Sequence, residues 1–148
     1  EQLRPAFWEL TLEALRASSV DLFNNISPSK DHWLSAGSGL RACPFSMIFG
    51  VKEVRVEFYM SRSNGEENKF IYDHLFEQKS EIEANFGELL EWQRLDNKKA
   101  SRIQFSQAVD GYNKDNWPQM VEWLVKYMGH LEAAFKAPLG TIKKSLKK

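Results

Sequence analysis

Cysteine is almost missing from this sequence: Cys43 stands alone among 148 residues, so no intramolecular disulfide can form. A lone thiol suits a reducing compartment, and the expected location is the cytoplasm. Histidine is nearly as scarce. His32, His74 and His130 form no H-x-H or HExxH arrangement, and there is no C-x-x-C, so neither a metal centre nor a bound cofactor is expected. Long apolar runs are also lacking. The longest, Pro44 to Val51, falls far short of the ~20 residues a membrane helix needs, so no membrane partner is expected. The start, Glu1-Gln2-Leu3-Arg4, carries neither an apolar leader nor an initiator Met, which predicts a domain drawn from something longer. Excess charge is absent too. The 20 Lys+Arg balance 20 Asp+Glu, which excludes a polycation that coats nucleic acid by bulk charge.

What is present is apolar and aromatic. At 43% hydrophobic with five Trp, the chain can build a core without staples, and a single domain over residues 1–148 is expected. Trp8, Leu12, Leu15, Ser19 and Leu22 step by three and four behind Pro5, predicting a helix from Leu3 to Phe23. Residues 28–40 carry Pro28 and Gly37-Ser38-Gly39 and read as a loop, with a turn of helix around His32-Trp33-Leu34. The period then changes to two. Val54, Val56, Phe58 and Met60 alternate with Glu53, Arg55, Glu57 and Tyr59, a half-buried strand that pairs as a hairpin with Phe45–Phe49.

Helical spacing returns from Glu66 to Phe86 through Ile71, Leu75, Ile82 and Phe86, with Gly87 as the left-handed cap. Leu89–Leu95 and Ser101–Val109 form a second hairpin around Asp96-Asn97-Lys98-Lys99. Asp115 or Asn116 then caps a last helix whose stripe is Trp117, Val121, Leu124, Met128, Leu131 and Phe135. Pro138 and Gly140 are expected to stop it, leaving 136–148 as a mobile basic tail. The order α-ββ-α-ββ-α predicts an α+β fold: a two-layer arrangement in which three helices pack on an antiparallel sheet of about four strands.

The residues hold no catalytic constellation, and an enzyme is not expected. Gly37-Ser38-Gly39 lacks the spacing and the Lys-Ser/Thr of a phosphate loop. Asp73 with Glu77-Gln78-Lys79 imitates a metal-dependent nuclease motif, but on a predicted helix Asp73 and Glu77 are merely i,i+4 neighbours. Glu57, Arg55 and Tyr59 are the best raw material for chemistry and equally what a solvated strand face looks like. Basic residues are better organised. Arg94, Lys98, Lys99 and Arg102 gather on the second hairpin, where they would contact phosphates, with Trp92 to stack a base. The competing surface is Trp123 and Tyr127, an i,i+4 pair that either widens the core stripe or meets a protein partner.

The run Phe7-Trp8-Glu9, Trp33-Leu34 with Gly37 and Gly39, and Val54-Arg55-Val56-Glu57 resembles a bacterial family of domains of unknown function. So do Asn68-Lys69, Ile82-Glu83 through Phe86-Gly87, Trp92, Ala100-Ser101-Arg102-Ile103, and Trp117-Pro118 through Ala134-Phe135. Domains of that family often follow a restriction-endonuclease-like nuclease domain in one polypeptide. The resemblance implies a nuclease-associated accessory domain, with nucleic acid, a nuclease domain or another protein as partner, and it carries over no catalytic residue. The expected function is a non-catalytic binding domain of a nucleic-acid-processing protein, the alternative a protein-interaction or homodimerisation module.

Overall fold

The computed structural model describes residues 2–146; Glu1 and the last two tail residues, Lys147 and Lys148, lie outside the described residues. Helix α1 (Leu3–Arg16) buries Phe7, Trp8, Leu12 and Leu15. It ends well before Phe23. The Ser18 hydroxyl donates to the Leu15 carbonyl at 2.7 Å and accepts the Val20 N–H at 3.0 Å, a local turn that competes with further helix.

Trp33–Ala36 is strand β1, not a loop with a helical turn. Leu34 and Ala36 point to the core, and Ser35 Oγ on the other side meets Ser46 Oγ at 2.7 Å. The first hairpin is as expected, with β2 (Phe45–Phe49) paired to β3 (Glu53–Met60).

The single helix expected over 66–86 is two, α2 (Gly65–Phe76) and α3 (Lys79–Phe86). After Leu75 the stripe skips a whole turn, since Gln78 and Lys79 occupy the positions where an apolar residue would continue it. Asn64 Oδ1 caps α2 by accepting the Glu66 and Glu67 N–H groups, and Gly87, at φ 99°, closes α3. Strands β4 (Glu91–Gln93) and β5 (Ser101–Ala108) form the second hairpin, its first arm shorter than expected. A 3₁₀ turn over Lys114–Asn116, capped by Asn113, leads into α4 (Trp117–Leu146).

Helix α4 passes straight through Pro138. Proline removes one helical hydrogen bond, but Leu139 and Ile142 beyond it are buried, and this burial holds the continuation in place. The expected basic tail is therefore helical as far as Leu146.

The protein is α+β, with one antiparallel sheet of five strands in the order β1-β2-β3-β5-β4 and four α-helices, instead of four strands and three helices. The hairpins join through β3 and β5, in a register that sets Val56 beside Phe105 and Phe58 beside Ile103. Helical aromatics meet a single face of this sheet. Phe7 stacks on Phe49 with centroids 4.0 Å apart, Phe135 packs on Phe45 and Phe58, Phe86 on Phe105, and Tyr72 on Trp92. The Val109 and Gly111 N–H groups extend the pairing to the Lys52 and Val51 carbonyls. At Gly111 a Cβ would stand 1.9 Å from the Gly50 oxygen, so only glycine fits.

Candidate functional site

The five residues expected to meet nucleic acid do not share a surface. Arg94 is held by two carboxylates: Nε and Nη2 grip Asp73 at 2.9 and 3.0 Å, and Nη1 reaches Asp96 at 2.6 Å. The Arg94 hydrogen bonds hold the Asp73 carboxyl below the usual aspartate range, and both carboxylates raise the guanidinium further. Trp92 sits in register with buried Ile103 on the helix-covered side, and its indole N–H donates to Glu83 at 2.9 Å. Arg102 lies on the opposite side of the sheet. Lys98 and Lys99 are exposed at the β4–β5 turn and have no ion-pair partner among the described residues. Trp123 lies parallel to Phe105 at 5.6 Å, and Tyr127 contacts Phe86 and Phe105, so both are half-buried flanks of the α4–sheet interface.

That turn is anchored by two side chains that enter the sequence reading only through the resemblance. Lys69 Nζ on α2 reaches the carbonyls of Arg94, Leu95 and Ala100 at 2.6, 2.9 and 2.8 Å, and Ser101 Oγ at 2.9 Å. Burial, and then the charge of nearby Arg94, push its pKa below the ordinary lysine value. Asn68 beside it donates to the Arg62 and Lys99 carbonyls and accepts the Arg62 N–H. The available signal is an Asn-Lys pair in a helix opposite a polar turn, which pattern alone does not connect.

Among the described residues no helix covers the other face of the sheet. Because side chains alternate across each strand, the register lays Ser35, Ser46, Glu57, Gln104 and Glu91 in one polar row across all five strands. Trp33, Ile48, Arg55 and Ser106 flank it on one side, and Tyr59, Arg102 and Gln93 on the other. Glu57 is only 5% exposed on this uncovered face. Arg55 Nε donates to its Oε1 at 3.0 Å, Arg102 Nε lies 3.2 Å from the same oxygen, and Arg55 also binds Glu53 at 2.7 Å. The Arg102 guanidinium rests 5.1 Å from the Tyr59 ring centre and completes the shield.

Gln104 is 7% exposed; its Nε2 donates to Glu91 at 3.0 Å, and its Oε1 is buried without a partner. An orphaned acceptor of this kind costs roughly 1–3 kcal/mol unless something donates to it. Three carboxylates and two guanidiniums leave the face slightly acidic.

Elsewhere the chemistry is sparse. A cleft of about 250 Å³ between α4 and the 38–40 loop is lined by Glu132, Lys136 and Lys143 among apolar groups. Burial, and then Asp21, raise the Glu132 pKa. Burial also raises that of the Cys43 thiol. Among the described residues no three His, Cys, Asp or Glu side chains gather as metal ligands, and no helix is long and apolar enough to cross a membrane.

A family model described as "Domain of unknown function (DUF4268)" matches residues 3–139. No curated protein and no solved structure matches the chain.

Proposed function

The chain belongs to the DUF4268 family, and on that footing we propose that it is a non-catalytic binding domain whose uncovered sheet face docks a protein partner. The observation that carries this reading is the ordered polar row with a buried acceptor next to its central Glu57, Gln104 Oε1, that has no hydrogen-bond partner among the described residues, as neighbouring Arg102 Nε has none. The Glu57 carboxylate is engaged by two guanidiniums. The partner's chemistry follows from the exposed groups. Glu53 and Glu91 lie on either side of the paired centre, so a segment rich in lysine, arginine or amide donors complements the face. In the setting the resemblance implies, that segment belongs to a nuclease domain or to a protein that works with one.

A photo-crosslinking residue at Ser106, on the face, is compared in cells with one at Lys144, on the exposed side of α4. The expected result is one discrete protein adduct from position 106 alone. That protein, identified and purified, should then bind the chain and bind Glu53→Lys/Ser106→Lys at least tenfold more weakly. Equal labelling from both positions, or adducts made of nucleic acid, would overturn the reading.

A nucleic-acid role draws support from exposed Lys98 and Lys99. It is the weaker reading, because Arg94 and Arg102 are already occupied by carboxylates. Oligonucleotide binding at low salt, falling steeply with added salt and lost in Lys98→Glu/Lys99→Glu, would transfer the function to this turn.

A further inference from the structure

We propose that a second copy of this chain extends the sheet at β4, the two β4 strands pairing antiparallel about a two-fold axis into one ten-stranded sheet. Strand β4 ends the sheet, and no strand among the described residues pairs with its outer edge. Natural edges are guarded by charged side chains, proline, a bulge or brevity, and of these β4 has a single charge, Glu91, and its short length. Glu91-Trp92-Gln93 has neither proline nor lysine. Exposed apolar side chains accompany it: Leu89, two residues before the strand, is 78% exposed, and Phe76, whose ring meets Trp92 at 5.6 Å, is 46% exposed. The other edge, β1, offers a single large exposed apolar side chain, Trp33.

Charge allows the strand to pair with itself. A two-fold interface presents one surface to its own copy. Pairing centred on Trp92 sets Glu91 opposite Gln93 of the second copy, a carboxylate against an amide, with no like charges facing. Glu91 uses Oε1 to accept from Gln104 and keeps Oε2 for the incoming amide. The area is modest. A three-residue strand with two apolar flanks falls below the ~800 Å² per partner of a standard interface, so the dimer is weak and concentration-dependent.

Sedimentation velocity of the purified chain, carried up to hundreds of micromolar, should show mass rising from monomer to dimer. Leu89→Glu, at a site 78% exposed, and Phe76→Glu/Leu89→Glu, its fold verified by thermal unfolding against the parent, should both remain monomeric at every concentration. Trp123→Ala should dimerise like the parent. Amide exchange in residues 91–93 should slow as concentration rises, an independent reading of edge pairing that needs no variant. A strict monomer throughout, a dimer indifferent to the double variant, or exchange at 91–93 independent of concentration overturns the proposal. Glu53→Lys/Ser106→Lys, which impairs the sheet face, leaves this dimer intact, so failure of one reading is separable from failure of the other.

Discussion

Replacing Lys69 by methionine tests whether one ammonium holds the second hairpin to α2. Methionine keeps the length of the stem and removes only the charge and its donors. Of the four acceptors, two retain other partners: the Arg94 carbonyl still accepts from Ser101 Oγ at 2.8 Å, and the Leu95 carbonyl from the Lys98 N–H at 2.9 Å. Among the described residues the Ala100 carbonyl accepts from Lys69 alone. The loss is therefore one orphaned carbonyl, worth roughly 1–3 kcal/mol, plus about 1.5–3 kcal/mol for the ammonium's hydrogen bonds taken together, since bonds sharing one donor group do not add. Part of this is offset, because a buried ammonium no longer has to be desolvated. A net loss of about 2–4 kcal/mol results, which in a chain of this size lowers the melting temperature by about 5–15 °C. Thermal and urea unfolding of Lys69→Met measure it directly. Asn68→Ala, which frees the Lys99 carbonyl of the same turn, should couple to it by more than about 0.5 kcal/mol in a double-mutant cycle. A Lys69→Met protein that melts within a degree of the parent would refute the assignment of the turn's stability to this contact.

Gly111→Ala should destabilise the fold by about 2 kcal/mol or more, since its Cβ would sit 1.9 Å from the Gly50 oxygen; a urea midpoint equal to the parent's would contradict this. Cys43, buried and with its pKa raised chiefly by burial, should react with a disulfide reagent only as the protein opens, at least about 100-fold slower than in urea; labelling of the folded chain at the unfolded rate would count against it. Glu132 carries a raised pKa, so the native state binds its proton more tightly than the unfolded state does. Its contribution to stability thus declines as pH rises from the ordinary glutamate value near 4.5 through the folded value, and Glu132→Gln should be more stable than the parent at pH 7 but not at pH 4. Equal stabilities at both pH values would remove the cause assigned to it.

Sequence pattern reaches the elements that carry a full period. Strand β3 alternates charged and apolar residues from Glu53 to Phe58, and α4 repeats its stripe over many turns, so residue spacing alone reveals both. What escapes it lies where tertiary contact overrides local preference. Leu34 and Ala36 are too few to establish a period, and β1 exists because β2 offers it an edge and Ser46 a hydroxyl partner. Pro138 would end an isolated helix, but Leu139 and Ile142 lie against the core. The candidate surface is half legible. The wet face of β3 is evident, but a row crossing five strands depends on register, which no single strand encodes. The basic cluster of the second hairpin looks like one patch because sequence proximity hides the pleat: Trp92 and Arg102 lie on opposite sides of the same sheet.

The sidedness of that sheet carries a consequence of its own. Layers covered on both faces read as continuous apolar runs, whereas here β3, β4 and β5 place chiefly polar residues on the uncovered side, and β1, with Trp33 and Ser35, and β2, with Ser46 and Ile48, mix the two. An ordinary solvated face would leave its charges loosely exposed in water. Here Glu57 is drawn down between two arginines, and Gln104 beside it is buried with one oxygen unmet. Burial without a covering layer means that the side chains themselves form the lid, with Arg55 and Arg102 drawn over Glu57 by ion pairing. A surface ordered in this way has already lost much of the side-chain entropy that association would otherwise cost, about 0.5–1.5 kcal/mol for each immobilised chain. The ion pairs that draw Glu57 down into the sheet are therefore what prepares the face to bind.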